Sequence, residues 1–99
     1  MTELDTVIHA PARLRVVSTL AALPPGDEIV FPKLQKLLDM TAGNLSTHVR
    51  KLEDAGYVRV AKAHAGRKPV TYLALTTEGR RAFEDYTATL TALLKGTGA

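Results

Sequence analysis

Apolar residues recur along this chain in three-and-four spacing, broken once by an alternating stretch. Thr6 to Leu23 carries the first helical pattern, with Asp5 or Thr6 as a possible cap. Pro11 is tolerated only in a first turn, which favours a start nearer Ala10. At 100° per residue, Ala10, Leu14, Val17 and Ala21 share one face, while Val16, Leu20 and Leu23 share another. Two apolar faces need two partners: the chain's own core and a second subunit. Leu23-Pro24-Pro25-Gly26-Asp27 is a turn. Glu28 to Phe31 is a short extended piece. Pro32 opens a second helix with Leu34, Leu37 and Leu38 on its core side, ended by Asp39-Met40-Thr41.

The third helix follows at once. Leu45, Val49 and Leu52 fall within about 60° of one another and form its buried stripe. Gly43, Asn44, Ser46, Thr47, Arg50 and Lys51 occupy the other arc, and Gly56 stops the helix. Tyr57, Val58 and Val60 begin a strand whose partner is Val70 to Leu75. Ala65-Gly66-Arg67-Lys68 fills the turn, and Pro69 assigns its arm to a sheet edge. Thr76-Thr77-Glu78 starts a last helix from about Thr77 to Leu94. There, Phe83 with Leu90 and Tyr86 with Leu93 repeat every seven residues, beside Thr87 and Leu94. The order is helix, short strand, helix, helix, two strands, helix. That is a mainly α fold with a small β wing, a winged helix-turn-helix. Residues 1–95 are expected to form one such domain and 96–99 a flexible tail.

Composition changes this picture in two ways. The 99 residues include no cysteine, which removes disulfides, thiolate metal sites and thiol redox sensing. The net charge of +3 is unevenly placed: residues 41–68 hold six bases and two acids, and the rest holds seven bases and eight acids. The positive field therefore lies on the third helix and hairpin, where it suits a polyanion. No apolar run approaches a membrane span, and the first residues carry acids where a leader carries bases, so a cytoplasmic protein is expected.

The chemistry of the third helix suits double-stranded DNA. Asn44 can pair with adenine and Arg50 with guanine, while Ser46 and Thr47 can meet a base edge or a phosphate. Thr41 and Gly43 stand at the helix start, where the backbone can approach closely and hold a phosphate. Lys51 extends this face. Arg67 at the hairpin tip is placed for a narrow minor groove, with Lys62 and Lys68 on phosphates and His64 as a weak addition. His48 borders the apolar stripe and is assigned to packing against the wing with a local hydrogen bond. His9 and His64 share no ligand spacing with it, so no metal or other cofactor is expected. Val16, Leu20, Leu23, Phe83, Tyr86, Leu90, Leu93 and Leu94 are the candidate dimer seam. Enzymatic parts are missing: there is no nucleophile elbow and no phosphate loop. Glu53-Asp54 and Glu84-Asp85 are adjacent pairs that point apart on a helix. A wing and helix used for protein–protein assembly without DNA is the second reading.

NLSTHVRKLEDAGYV resembles the recognition-helix signature of small bacterial winged-helix regulators related to the MarR and ArsR families. RLRVVSTLAAL resembles their first helix, and YLALTTEGRRAF their passage from wing to last helix. The resemblance runs from Leu4 to Leu94. It implies a homodimeric transcriptional regulator placing one recognition helix per subunit into successive major grooves. The chain is shorter than a typical MarR protein and lacks the cysteine metal sites of many ArsR proteins. Metal sensing is therefore not implied, and the resemblance names no effector and no target gene.

Overall fold

A computed structural model describes residues 3–96. Its elements are α1 (Pro11–Ala21), β1 (Ile29–Val30), α2 (Phe31–Leu38), α3 (Ala42–Asp54), β2 (Val58–Ala65), β3 (Lys68–Leu75) and α4 (Thr77–Leu94). This is the expected order. Of the expected tail, 97–99 lie outside the described residues.

Proline decides where α1 begins. Pro11 takes the first helical position, where its missing N–H costs nothing, so the start nearer Ala10 is correct and the one at Thr6 is not. The residues before it form an arm. Asp5 Oδ1 accepts the N–H groups of Val7 at 2.8 Å and Ile8 at 3.2 Å, a turn that drives Ile8 into full burial. Val16, Val17 and Leu20 are all buried in the protomer's own core. The two faces of α1 thus merge into one, which corrects the assignment of Val16 and Leu20 to a second subunit. Tyr86 is likewise buried, its hydroxyl 2.9 Å from His9 Nδ1, and leaves no area for a partner. Leu23 and Phe83 are half-buried against the core. Past Tyr86, α4 buries no further residue among those described; Leu90 is half-buried, and Leu93 and Leu94 are exposed.

α2 buries Leu34 and Leu38 but leaves Leu37 60% exposed, so Leu37 is not a core residue. Leu37 stands about 100° around the helix from Leu38, outside the arc that Leu34 and Leu38 turn to the core. Asp39 ends it in the left-handed region at φ 52°, where the chain turns into Thr41. The Thr41 hydroxyl caps α3 by accepting the Asn44 N–H at 3.1 Å. Leu45, Val49 and Leu52 are buried, as their spacing predicts. The far end of α3 closes on Gly56, at φ +83°: its N–H meets Glu53 O, and that of Tyr57 meets Leu52 O. These two bonds satisfy carbonyls that the helix end leaves open.

The sheet is antiparallel in the order β1-β3-β2. β3 is therefore the central strand, not the edge that Pro69 suggested. The proline is tolerated because β1 pairs only with Leu73 and Tyr72, so β3 is two-stranded where Pro69 faces His64. Both hairpin strands also run further than expected, leaving a two-residue turn of Gly66 and Arg67. Gly66 stands at φ +68°, as the first central position of such a turn requires when its sign matches the sheet twist.

α4 is held to the rest by a backbone junction. Thr76 Oγ1 accepts the Gly79 N–H at 2.9 Å and donates to Gly56 O at 2.7 Å, while the Thr76 N–H meets Tyr57 O. Arg80 reaches back to Ala21 O and Leu23 O at the end of α1. Arg15 does the same for Leu38 O at the end of α2.

Gly79→Ala should destabilise the fold by about 2–3 kcal/mol in urea unfolding, because the added carbon falls on the backbone oxygen of Tyr57 and 2.9 Å from Leu75 Cδ1. Tyr57 donates its hydroxyl to Asp5 Oδ2. That bond, then burial, then the charges of Asp5 and Glu78, push its pKa from 10.0 up to about 12. The fold favours the protonated phenol, so this contribution is full below pH 10 and is lost as pH rises toward 12. Tyr57→Phe should lower the neutral-pH unfolding midpoint and show a shallower alkaline loss across that window.

Candidate nucleic-acid interface

α3 presents a polar face because its three buried residues all lie on one side. Gly43, Asn44, Ser46, Thr47, Arg50 and Lys51 are exposed. The side chains of Asn44, Ser46, Arg50 and Lys51 make no hydrogen bond or ion pair among the described residues. Thr47 differs: its hydroxyl donates to Gly43 O at 3.0 Å, leaving the oxygen as an acceptor. Thr41 is committed in the opposite sense, since its oxygen already accepts the Asn44 N–H.

The structure splits this face into two flanks. Ser46 and Arg50 turn toward the hairpin, where they share a groove of about 460 Å³ with Val60, Lys62, Thr71 and Leu73. Phe31 and the carboxylate of Glu53 also line it. Sheet alternation explains the role of Lys62. Directly paired residues point the same way, so Lys62 with Thr71 lies on the face of Val60 with Leu73. Lys68, paired with Ala65, belongs to the opposite face. Lys62 and Lys68, alike in the sequence, therefore serve different sides of the wing. Arg67 sits in the turn itself, within an exposed run from Lys62 to Pro69.

Electrostatics favour an anion here. The ion pair among the described residues is Arg59 with Glu28 at 3.7 Å, so the other bases of α3 and the wing keep their charge unpaired. A larger concavity of about 550 Å³ between the arm and α4 has the opposite sign, lined by Glu3, Asp5 and Asp85. No group of three or more potential ligands that could hold a metal ion occurs among the described residues, and no helix among them is long and apolar enough to cross a membrane.

His48 is half-buried, as its border position implies, but the expected local hydrogen bond is absent: its Nδ1 is buried with no partner. Burial first, then the charges of Arg13 and Lys51, hold its pKa below the ordinary value of 6.5. Its charged neighbours thus lie on α1 and α3 rather than on the wing. Arg13 is the residue that sequence reasoning passes over. One arginine in a first helix carries no signal, and only the packing of α1 on α3 brings it to this face.

The model of the winged helix DNA-binding domain family matches residues 12–94. The uncharacterized protein MJ0432 of Methanocaldococcus jannaschii is 30% identical over 80 residues, spanning 81% of this chain and 84% of the relative. The solved structure of a transcriptional regulator homologue from Pyrococcus horikoshii OT3 has a TM-score of 0.82 at 32% identity, covering 94% of this chain and 89% of that one. AbsC of Streptomyces coelicolor, a MarR family transcriptional regulator, shares the fold with a TM-score of 0.71 at 17% identity, over 89% of this chain and 58% of its own. The family match takes in every element from α1 to α4, including the helix and hairpin on which the unpaired bases stand. The chain belongs to the winged helix DNA-binding domain family, a family of DNA-binding domains and not of enzymes.

Proposed function

We propose that this chain is a cytoplasmic, sequence-specific transcriptional regulator that binds double-stranded DNA as a homodimer. The observation that carries the reading is the groove joining Ser46 and Arg50 of α3 to Lys62 of the wing, with their polar ends unpaired. A helix fits the major groove, and its exposed face here offers Asn44 for adenine and Arg50 for guanine. Ser46 and Thr47 supply shorter contacts; Thr47 does so as an acceptor, because its proton is used within α3. Thr41 and Gly43 bring the start of α3, with its free N–H groups, against a phosphate. Lys51 extends the contact along α3. Lys62 lies along the same backbone wall as Arg50, while Arg67 leads the tip into the adjoining minor groove and Lys68 meets the backbone from the other side of the wing.

The exposed end of α4 supports the dimer. Leu93 and Leu94 are 45% and 79% exposed on a helix that has left its own core, and Leu90 lies beside them. A second copy would cover them, with Leu23 and Phe83 at the margin. Two copies related by a two-fold axis would read half-sites about one helical turn apart, or a multiple of it. Regulation, rather than DNA binding alone, draws support from the transcriptional regulator homologue of Pyrococcus horikoshii, whose fold and length this chain shares.

Selection of bound fragments from random duplexes should return a near-palindrome. On that site Arg50→Ala should cost about 1–3 kcal/mol, with little loss on random DNA. The double change Arg67→Ala and Lys68→Ala should lower the slope of log affinity against log salt by about one to two. Absence of salt-dependent DNA binding would instead favour a protein-assembly module. In sedimentation equilibrium the chain should be a dimer that Leu93→Asp with Leu94→Asp converts to monomer; a wild-type monomer at every concentration would end the dimer reading.

A further inference from the structure

The flank of α3 away from the wing carries Asn44, His48 and Lys51 within about 60° of one another. This flank meets the start of α1. Arg13, Lys51, Asp54 and Ala55 line a recess of about 420 Å³ together with Thr6 and Val7 of the arm. Arg13 is held there by its Nε, which donates to Val7 O at 2.6 Å. Its terminal nitrogens make no hydrogen bond or ion pair among the described residues, and the same holds for the Lys51 amine. The Asp54 carboxylate lines the recess but forms no ion pair with either base. The orphaned Nδ1 of His48 lies in the field of both cations, which help to hold its pKa down. α1 adds to that field: its first turn has no acidic residue and its N-cap, Ala10, offers no side chain to its open N–H groups.

Arg13, held through its Nε, and Lys51 converge here with neither paired to the Asp54 carboxylate, and together they form a site for an anion. A helix lying in the major groove has a phosphate backbone on each side, and the wing reaches only one of them. We propose that Arg13 and Lys51 hold a DNA backbone phosphate on the flank of α3 opposite the wing. The inference rests on the DNA reading and deepens it, since contacts on both flanks fix the roll of α3 in the groove and hence which bases Asn44 and Arg50 can meet.

The test is an anisotropy titration of the full chain on its selected duplex and on random duplex, across a series of salt concentrations. Arg13→Gln should weaken binding about tenfold on both duplexes and lower the salt slope by about one. Arg13→Lys should keep the slope, and Lys95→Gln, beyond the end of α4, should change nothing. If Arg13→Gln melts below the assay temperature, Lys51→Gln, an exposed change, carries the test with the same expected loss. An unchanged slope in Arg13→Gln and Lys51→Gln, while Arg67→Ala lowers it, would overturn this contact and leave the DNA reading standing. Wild-type protein that binds no duplex would remove the DNA reading, and this contact with it. Inorganic phosphate that raises the melting temperature of wild type but not of Arg13→Gln, with an unaltered slope on DNA, would show a free-anion site and overturn the proposal.

Discussion

Everything in this molecule turns on how closely the backbone of α4 lies against the backbone at Gly56 and Tyr57. No side chain separates the two, because Gly79 has none and Thr76 bonds to both carbonyls. Three elements end or begin within these few residues: α3 closes on Gly56, β2 leaves from Val58, and α4 starts at Thr77. Their mutual angles are thus set by main-chain hydrogen bonds of fixed length rather than by the looser fit of side chains. The groove between α3 and the wing inherits that precision, and so does the direction in which α4 departs. Asp5 ties the arm to the same point through Tyr57.

Much of this could be read from the sequence, for local reasons. The α3 stripe is three residues at helical spacing, and both its ends are marked, by Thr41 and by Gly56. Thr76 and Gly66 announce a cap and a tight turn in the same way. What failed needed tertiary knowledge. A helical wheel assigns Val16 and Leu20 to a partner because it shows angles and not the breadth of the core beneath them. The same wheel draws Leu37 inward. Pro69 signals a missing hydrogen bond, but only the length of β1 tells that the bond was never needed. Ile8 and Arg13 had no local signal at all; their roles follow from where the arm and α1 land on α3.

The candidate site was legible in its residue types and less so in its layout. Charge counting locates the positive excess on residues 41–68 without saying that Arg59 is engaged with Glu28. Nor does it say that Lys62 and Lys68 oppose one another across the hairpin, which depends on the parity of the register. The two acids at the end of α3 matter as well. Glu53 and Asp54 are exposed beyond Arg50 and Lys51. Their charges oppose a polyanion beyond Lys51, so the contacts of α3 end at Arg50 and Lys51.

The outer half of the wing has a different thermodynamic character from its root. Val58, Leu73, Ala74 and Leu75 rest on the core, but from Ala63 to Pro69 the ribbon is exposed along its whole length. Cross-strand hydrogen bonds and one glycine turn are all that order it, and a free hairpin of that kind is marginal in water. Its opening free energy should therefore lie far below that of the whole fold. A partner that immobilises the tip must meet the entropy of ordering it, so part of the intrinsic attraction of those bases is converted into order instead of affinity. The reward is reach: a loosely held tip can follow a groove whose width varies with sequence, while the helix beside it stays rigid.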